Sequence, residues 1–85
     1  MEDIILDCTE LETKQQLHAA IADALSFPDW YGNNLDALYD CLTDLESPVH
    51  LHLIGWALLP DWKAAFAAVF NDVENDCMEF TVSFE

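Results

Sequence analysis

The sequence predicts an α/β fold of two layers, in which three or four helices cover mainly one face of a three-stranded parallel sheet. Short strand-like apolar runs are separated by stretches with apolar residues at helical spacing. Helical connections between strands are typical of parallel sheets. The last two strand candidates alternate apolar and polar residues, which leaves one sheet face in water. Right-handed crossovers on the other face then give the strand order 1-2-3.

The first half of the chain predicts one strand and two helices. Ile4-Ile5-Leu6 is a short apolar run and predicts a buried strand. The helix after it can be capped in two ways, by Thr9 with Glu12 or by Thr13 with Gln16. Its apolar stripe consists of Leu17, Ala20, Ile21, Ala24 and Leu25.

A loop over residues 26–32 contains Pro28 and leads to the second helix. Asn33 is a good N-cap for this helix, and Ser47-Pro48 is expected to end it. The buried stripe of the helix is predicted to be Leu35, Leu38, Leu42 and Leu45.

The second half predicts two strands with a helix between them. Residues 49–54 alternate as a strand, and residues 55–59 form an apolar connector with room for one helical turn. Pro60 suits the first position of a third long helix, with Asp61 in the favourable first turn. The apolar residues are Trp62, Phe66, Val69, Phe70 and Val73 in the helix and Met78, Phe80, Val82 and Phe84 in the last strand.

Size and charge restrict the possible functions. The chain has 85 residues, enough for a single domain over residues 1–85 and too few for two. Seventeen Asp and Glu face two lysines, which gives a formal net charge of -15. Nucleic acid and anionic membranes are therefore poor partners, and a strongly basic protein is a better one. Acidity that serves only solubility is the plain alternative.

Three cysteines, Cys8, Cys41 and Cys77, form no C-x-x-C pair. The N-terminal residues lack a basic stretch followed by an apolar one, as an export signal would require. We therefore expect a cytoplasmic protein with free thiols, in which the cysteines serve as small apolar residues.

The second helix is predicted to carry an acidic face. Helical residues advance by about 100°, so Asp36, Asp40, Asp44 and Thr43 fall away from the leucine stripe, with Tyr39 at the border. Asp36 lies in the first turn, where capping and the helix dipole favour a carboxylate. Asp40 and Asp44 gain nothing comparable and repel their neighbours. Residues that break local rules without local gain are expected at functional surfaces, although solvated acidic faces are common.

The run from Pro28 to Thr43, PDWYGNNLDALYDCLT, resembles the core of the barstar family, intracellular inhibitors of the ribonuclease barnase. Leu17-His18, Val69-Phe70 and the cysteines at 41 and 77 extend the resemblance more weakly. The resemblance implies a barstar-like fold with a three-stranded parallel sheet. It also implies a 1:1 complex with a basic, guanyl-type ribonuclease, formed by a protein that is a monomer when free.

The resemblance also implies roles for individual residues. Asp40 would enter the pocket that normally holds an RNA phosphate, and Asp36 would pair with a neighbouring cation. Trp30 would pack near the catalytic histidine. Tyr39 and Thr43 would flank these contacts, and Asp72 in the third helix would align with a contacting acid. Glu74 and Asp76 are both candidates for a second acidic contact from that helix.

The chain departs from the family pattern at several positions. Trp30 and Tyr39 stand where the family has other aromatic residues, Asp44 replaces a glycine, and Leu45 replaces a tryptophan. These differences concern the identity of the partner more than the mode of binding. We expect that Asp44 is the position at which this protein differs from the family in its choice of target.

Other functions have weaker support. His50 and His52 share one strand face and could chelate a metal, but the sequence specifies no third ligand nearby, so we expect no metal site and no cofactor. No nucleophile–base motif or glycine-rich phosphate loop points to an enzyme. The remaining alternative is an acidic interaction or immunity domain for another basic protein. That partner would be a non-barnase toxin, or a DNA-binding protein recognised by DNA mimicry.

Overall fold

The computed structural model describes residues 2–85, and Met1 lies outside the described residues. No helix in the described part of the chain has the length and apolar character needed to cross a membrane. The elements in chain order are strand β1 (Glu2–Asp7), helix α1 (Lys14–Leu25), helix α2 (Leu35–Thr43), strand β2 (Val49–Ile54), a 3-10 turn (Trp56–Leu58), helix α3 (Lys63–Asp76) and strand β3 (Phe80–Phe84).

The three strands form one parallel sheet in the order β1-β2-β3, as the sequence predicted. In its register, Asp3 of β1 and Thr81 of β3 lie on either side of His50 of β2. The alternation predicted for β2 is confirmed, because Val49, Leu51 and Leu53 are buried and the intervening residues are only half-buried.

The helices and the sheet enclose one apolar core. Three phenylalanines on α3 and β3 are its largest fully buried side chains, and leucines of α1, α2 and β2 fill the space between them. The opposite sheet face is open, and Ile5 on it is 71% exposed. The two-layer α/β fold is therefore confirmed. The fully buried large residues are Leu17, Ile21, Leu38, Leu42, Leu51, Leu53, Phe66, Phe70 and Phe80.

The first helix is capped by the second of the two predicted boxes. Thr13 Oγ1 accepts from the Gln16 backbone N–H at 3.1 Å, and Gln16 Oε1 accepts from the Thr13 N–H at 3.2 Å. This reciprocal pair satisfies two N–H groups that the helix itself leaves free. α1 ends before Ser26, which adopts a left-handed conformation at φ 55°.

The predicted bounds of α2 are wrong at both ends. Asn34 is the N-cap, because its Oδ1 accepts from the Ala37 N–H at 2.8 Å, whereas Asn33 occupies a left-handed turn position at φ 52°. The helix ends at Thr43 and does not reach Ser47-Pro48. Asp44 stands at the C-cap, where the helix dipole disfavours a negative charge, so its carboxylate gains nothing from this position in the helix.

Two further boundaries differ from the prediction. α3 begins at Lys63. Before it, the carbonyls of Pro60 and Asp61 accept from the N–H groups of Lys63 and Ala64, and these i→i+3 bonds form turns that are tighter than an α-helix. β3 begins at Phe80, and Met78 is 96% exposed instead of belonging to the buried strand pattern.

All three cysteines are free thiols. Cys8 and Cys41 are buried, as expected for small apolar residues, whereas Cys77 is only half-buried. Burial, followed by the charge of Asp7, raises the pKa of Cys8 to about 11.

Candidate partner-binding surface

The candidate surface, called the acidic surface below, comprises exposed carboxylates on α2 and near the end of α3. Tyr39 joins the two helices, because its hydroxyl donates to Asp76 Oδ2 at 2.6 Å. The pKa of Tyr39 is raised by this bond first, then by desolvation and by the charges of Asp76, Asp72 and Asp40. The members of the acidic surface are Asp36, Asp40, Asp44, Asp72 and Asp76.

The corrected N-cap changes the interpretation of Asp36. With Asn34 as the cap, Asp36 is the second helical residue, and Ala37 takes the third position. A capping box needs an acid or amide at the third position, so Asp36 cannot complete one. The helix dipole remains the only local reason for a carboxylate there.

Asp44 and Trp30 line the same cleft beside α2. The cleft has a volume of about 470 Å³ and is also lined by the buried Cys41. The pKa of Cys41 is raised by burial first and then by the charges of Asp40 and Asp44. Trp30 is 66% exposed and is therefore free to contact a partner.

The loop that carries Trp30 is anchored to α1 by a buried histidine. His18 in α1 is only 4% exposed, and its Nδ1 lies 2.5 Å from the Tyr31 hydroxyl. Its ring also packs on Phe66 at 4.7 Å between centroids. Burial, followed by the charge of Lys14, lowers the pKa of His18. The neutral ring can thus accept from the hydroxyl of Tyr31, whose own pKa burial raises to about 12.

Neither lysine neutralises the acidic surface. Lys63 Nζ donates to the carbonyls of Trp56 and Ala57 at 3.2 and 3.1 Å. Within residues 2–85, the ion pairs shorter than 4 Å join His52 to Asp3 and to Glu85, on the open sheet face. The carboxylates on the helices therefore face solvent without a cationic partner in the described chain.

The structure distinguishes Glu74 from Asp76, the two candidates in α3 for a second acidic contact. Glu74 Oε2 accepts from the Val82 N–H at 2.9 Å, so this side chain is held against β3. Asp76 instead bonds Tyr39 and lies with the α2 residues. Of the two, Asp76 is the one that belongs to the acidic surface.

The sequence did not predict a second polar cluster, which lies on the open sheet face. His52 lies 3.1 Å from Asp3 Oδ1 and 2.6 Å from Glu85 Oε2. The bonds to Asp3 and then Glu85 raise the pKa of His52. His50 stacks on His52 with 4.3 Å between centroids. The i,i+2 histidines were the only signal of this cluster in the sequence.

Comparison with known families bears directly on this surface. The family described as Barstar (barnase inhibitor) matches the chain over residues 1–85. The chain belongs to the barstar family. The resemblance of residues 28–43, and the fold that it implied, are thus confirmed.

A curated relative extends the comparison. The chain is 45% identical over 60 residues to the "Putative ribonuclease inhibitor YrdF" of Bacillus subtilis (strain 168). The aligned part covers 71% of this chain and 54% of the relative. The chain thus spans about half the length of the curated relative that it matches.

Proposed function

We propose that this protein inhibits a barnase-like, guanyl-type ribonuclease by covering its active site with α2 and the preceding loop, in a 1:1 complex. Membership of the barstar family and the name of the Bacillus subtilis relative support an inhibitor and not an enzyme. The site of action is the cytoplasm, where free thiols such as those of this chain are stable.

The observation that supports this most strongly is the convergence of carboxylates from two helices around Tyr39. Asp76 accepts from the Tyr39 hydroxyl at 2.6 Å, and the charges of Asp76, Asp72 and Asp40 raise the pKa of Tyr39. A ribonuclease cleft binds a polyanion through Arg, Lys and His side chains. A fixed group of carboxylates presents the same charge, and such charge-assisted bonds are strong.

The proposed roles follow the family pattern. Asp40 occupies the phosphate pocket, Asp36 pairs with a neighbouring cation, and Trp30 packs near the catalytic histidine. Tyr39 and Thr43 flank these contacts. Asp72 and Asp76 extend the contact to α3, and Asp44, beside the cleft, adjusts the choice of target.

The test is calorimetry and RNA cleavage with a purified barnase-like ribonuclease. Asp40→Ala should weaken binding by about 2–5 kcal/mol, the general range for truncating a buried charge pair, which the barnase–barstar complex itself helped to define. Asp29→Ala and Glu46→Ala each remove one exposed carboxylate to which no cationic partner is assigned, and they should weaken binding far less. Circular dichroism should show the same fold in all three variants.

Equal affinities of the three variants would refute the proposed role of Asp40. A wild-type protein that leaves cleavage unaffected, yet displaces duplex DNA from a DNA-binding protein, would indicate DNA mimicry. Binding to another basic toxin without binding to the ribonuclease would indicate a different immunity function.

A further inference from the structure

We propose that the open face of the sheet forms a metal site, in which Asp3, His50 and His52 bind a divalent transition-metal ion such as Zn²⁺. The sequence specified no third ligand for the two histidines. The fold supplies it, because β1 pairs in parallel with β2 and brings Asp3 beside His50 across 47 positions of sequence.

The spacing of the donor atoms fits a small cation. One ring nitrogen from each histidine and one carboxylate oxygen of Asp3 lie within 4.8 Å of one another. His52 Nε2 and Asp3 Oδ1 are 3.1 Å apart. Two ligands at about 2.0–2.2 Å from a tetrahedral zinc ion are about 3.3 Å apart, so this pair already has the required separation. Small rotations of the half-exposed His50 would complete the set.

Glu85 holds His52 in the orientation that metal binding requires. Its Oε2 lies 2.6 Å from His52 Nδ1, which directs Nε2 towards Asp3. Metal-bound histidines almost always donate their other N–H to a carboxylate or carbonyl in this way. Ser83 Oγ, 2.7 Å from Nε2 of His50, restrains the second ring.

The donor set and the charge of the chain select the class of ion. Two imidazoles and one carboxylate suit zinc and its neighbours in the first transition row, and they leave a coordination position for water. A net charge of -15 favours any cation at this surface. The histidines belong to the sheet face that no helix covers, so a bound ion would leave the acidic surface free.

Metal binding here would join β1 to β2 and stabilise the sheet. A ligand that binds only the folded state raises its stability in proportion to the logarithm of its concentration. At zinc concentrations about 100 times the Kd, Tm should rise on the order of 10 °C for a domain of this size. The acidic surface is not needed for this effect.

The first experiment titrates zinc into the apo-protein by calorimetry and thermal denaturation. We expect one ion per chain and the rise in Tm. Asp3→Asn and His52→Gln should each reduce zinc affinity at least ~10-fold, since each removes a ligand. Asp61→Asn, which removes an exposed acid remote in sequence, and Cys77→Ser, which removes the least buried thiol, should bind zinc as the wild type does.

The second experiment uses Co²⁺ as a spectroscopic probe of the wild-type protein. It identifies the ligand atoms even if His52→Gln fails to fold. Visible d–d bands without a sulfur-to-cobalt charge-transfer band would support ligation by nitrogen and oxygen. A charge-transfer band that Cys77→Ser abolishes would overturn the proposal. So would zinc binding that Asp3→Asn leaves unchanged, or no zinc binding at all.

Discussion

The helical side and the open sheet side of this molecule treat negative charge in opposite ways. On the helices, Asp76 accepts from the Tyr39 hydroxyl, and the charges of Asp72 and Asp40 also raise the pKa of Tyr39. No cation of the described chain lies within ion-pair distance of these acids. On the sheet, Asp3 and Glu85 both contact His52, which when protonated offsets one of their two charges. One side therefore keeps its charge available, and the other compensates part of it internally.

The uncompensated charge of the helical side cannot be explained by the stability of the fold. Like charges four residues apart on a helix cost about 0.2–0.5 kcal/mol per pair. A sequence selected only for stability would not keep Asp36, Asp40 and Asp44 at this spacing. Uncompensated charge becomes favourable only when a partner supplies the cations, as the proposed function requires.

The largest expected effect comes from reversing one charge on α2. In Asp40→Lys, a cation would face the cationic cleft of the ribonuclease, and inhibition should weaken on the order of 1,000-fold or more. The same change replaces two repulsive i,i+4 pairs, with Asp36 and Asp44, by attractive ones. The free energy of unfolding should therefore rise by about 1 kcal/mol.

Urea denaturation and inhibition assays on the same preparation measure both effects. Asp61→Lys is the matched control, since it makes the same charge change outside α2. Loss of stability in parallel with loss of inhibition by Asp40→Lys would mean that Asp40 supports the fold and is not reserved for a partner.

The second expected effect is on the rate of association. Uncompensated charge attracts a basic partner over distances comparable to the Debye length, about 10 Å at 0.1 M salt. Between low salt and 0.5 M salt, the association rate constant should fall about 10- to 100-fold, with a smaller change in dissociation. Stopped-flow mixing measures both constants. A rate constant that does not depend on salt would exclude long-range attraction by the acidic surface.

The smallest expected effect is a pH dependence of the folding stability that arises from His18, the buried residue in contact with the loop that carries Trp30. Burial lowers the pKa of His18, so the unfolded chain binds a proton at this residue more readily than the folded one. The resulting stability is complete above the unfolded pKa, near 6.5, and is lost as the pH falls through the lower folded value.

Denaturation at pH 7.5 and pH 5 compares the wild type with His18→Gln, which keeps an acceptor for Tyr31 but does not titrate. The wild type should lose more stability than the variant over this interval, because only the wild type carries His18. The carboxylates titrate in both proteins, so their contribution cancels in the comparison. An identical loss in the two proteins would show that His18 is not kept neutral by the fold.

The sequence predicted the fold because the apolar periods of strands and helices are local properties. The alternation in β2 and the box of Thr13 with Gln16 appear in the structure as predicted. The errors lie where neighbouring residues compete for one role. Asn33 and Asn34 are both good caps, and only the left-handed turn at Asn33 shows which one serves.

The candidate surfaces were predictable to different degrees. Asp36 and Asp40 share a face because of helical geometry alone, so their grouping was visible in the sequence. The contact of Tyr39 with Asp76 and that of His52 with Asp3 join residues from distant elements. Such contacts depend on helix packing and strand register, which no local pattern specifies.

The bond between Glu74 and Val82 has a consequence for solubility. β3 is an edge strand, and its outward N–H groups could otherwise pair with a strand of a second molecule. Glu74 occupies one of these donors, and Glu2 and Asp7 place charge along the opposite edge at β1. Acidic side chains thus oppose growth of the sheet into larger aggregates at both edges, one by filling a backbone donor and the others by repulsion.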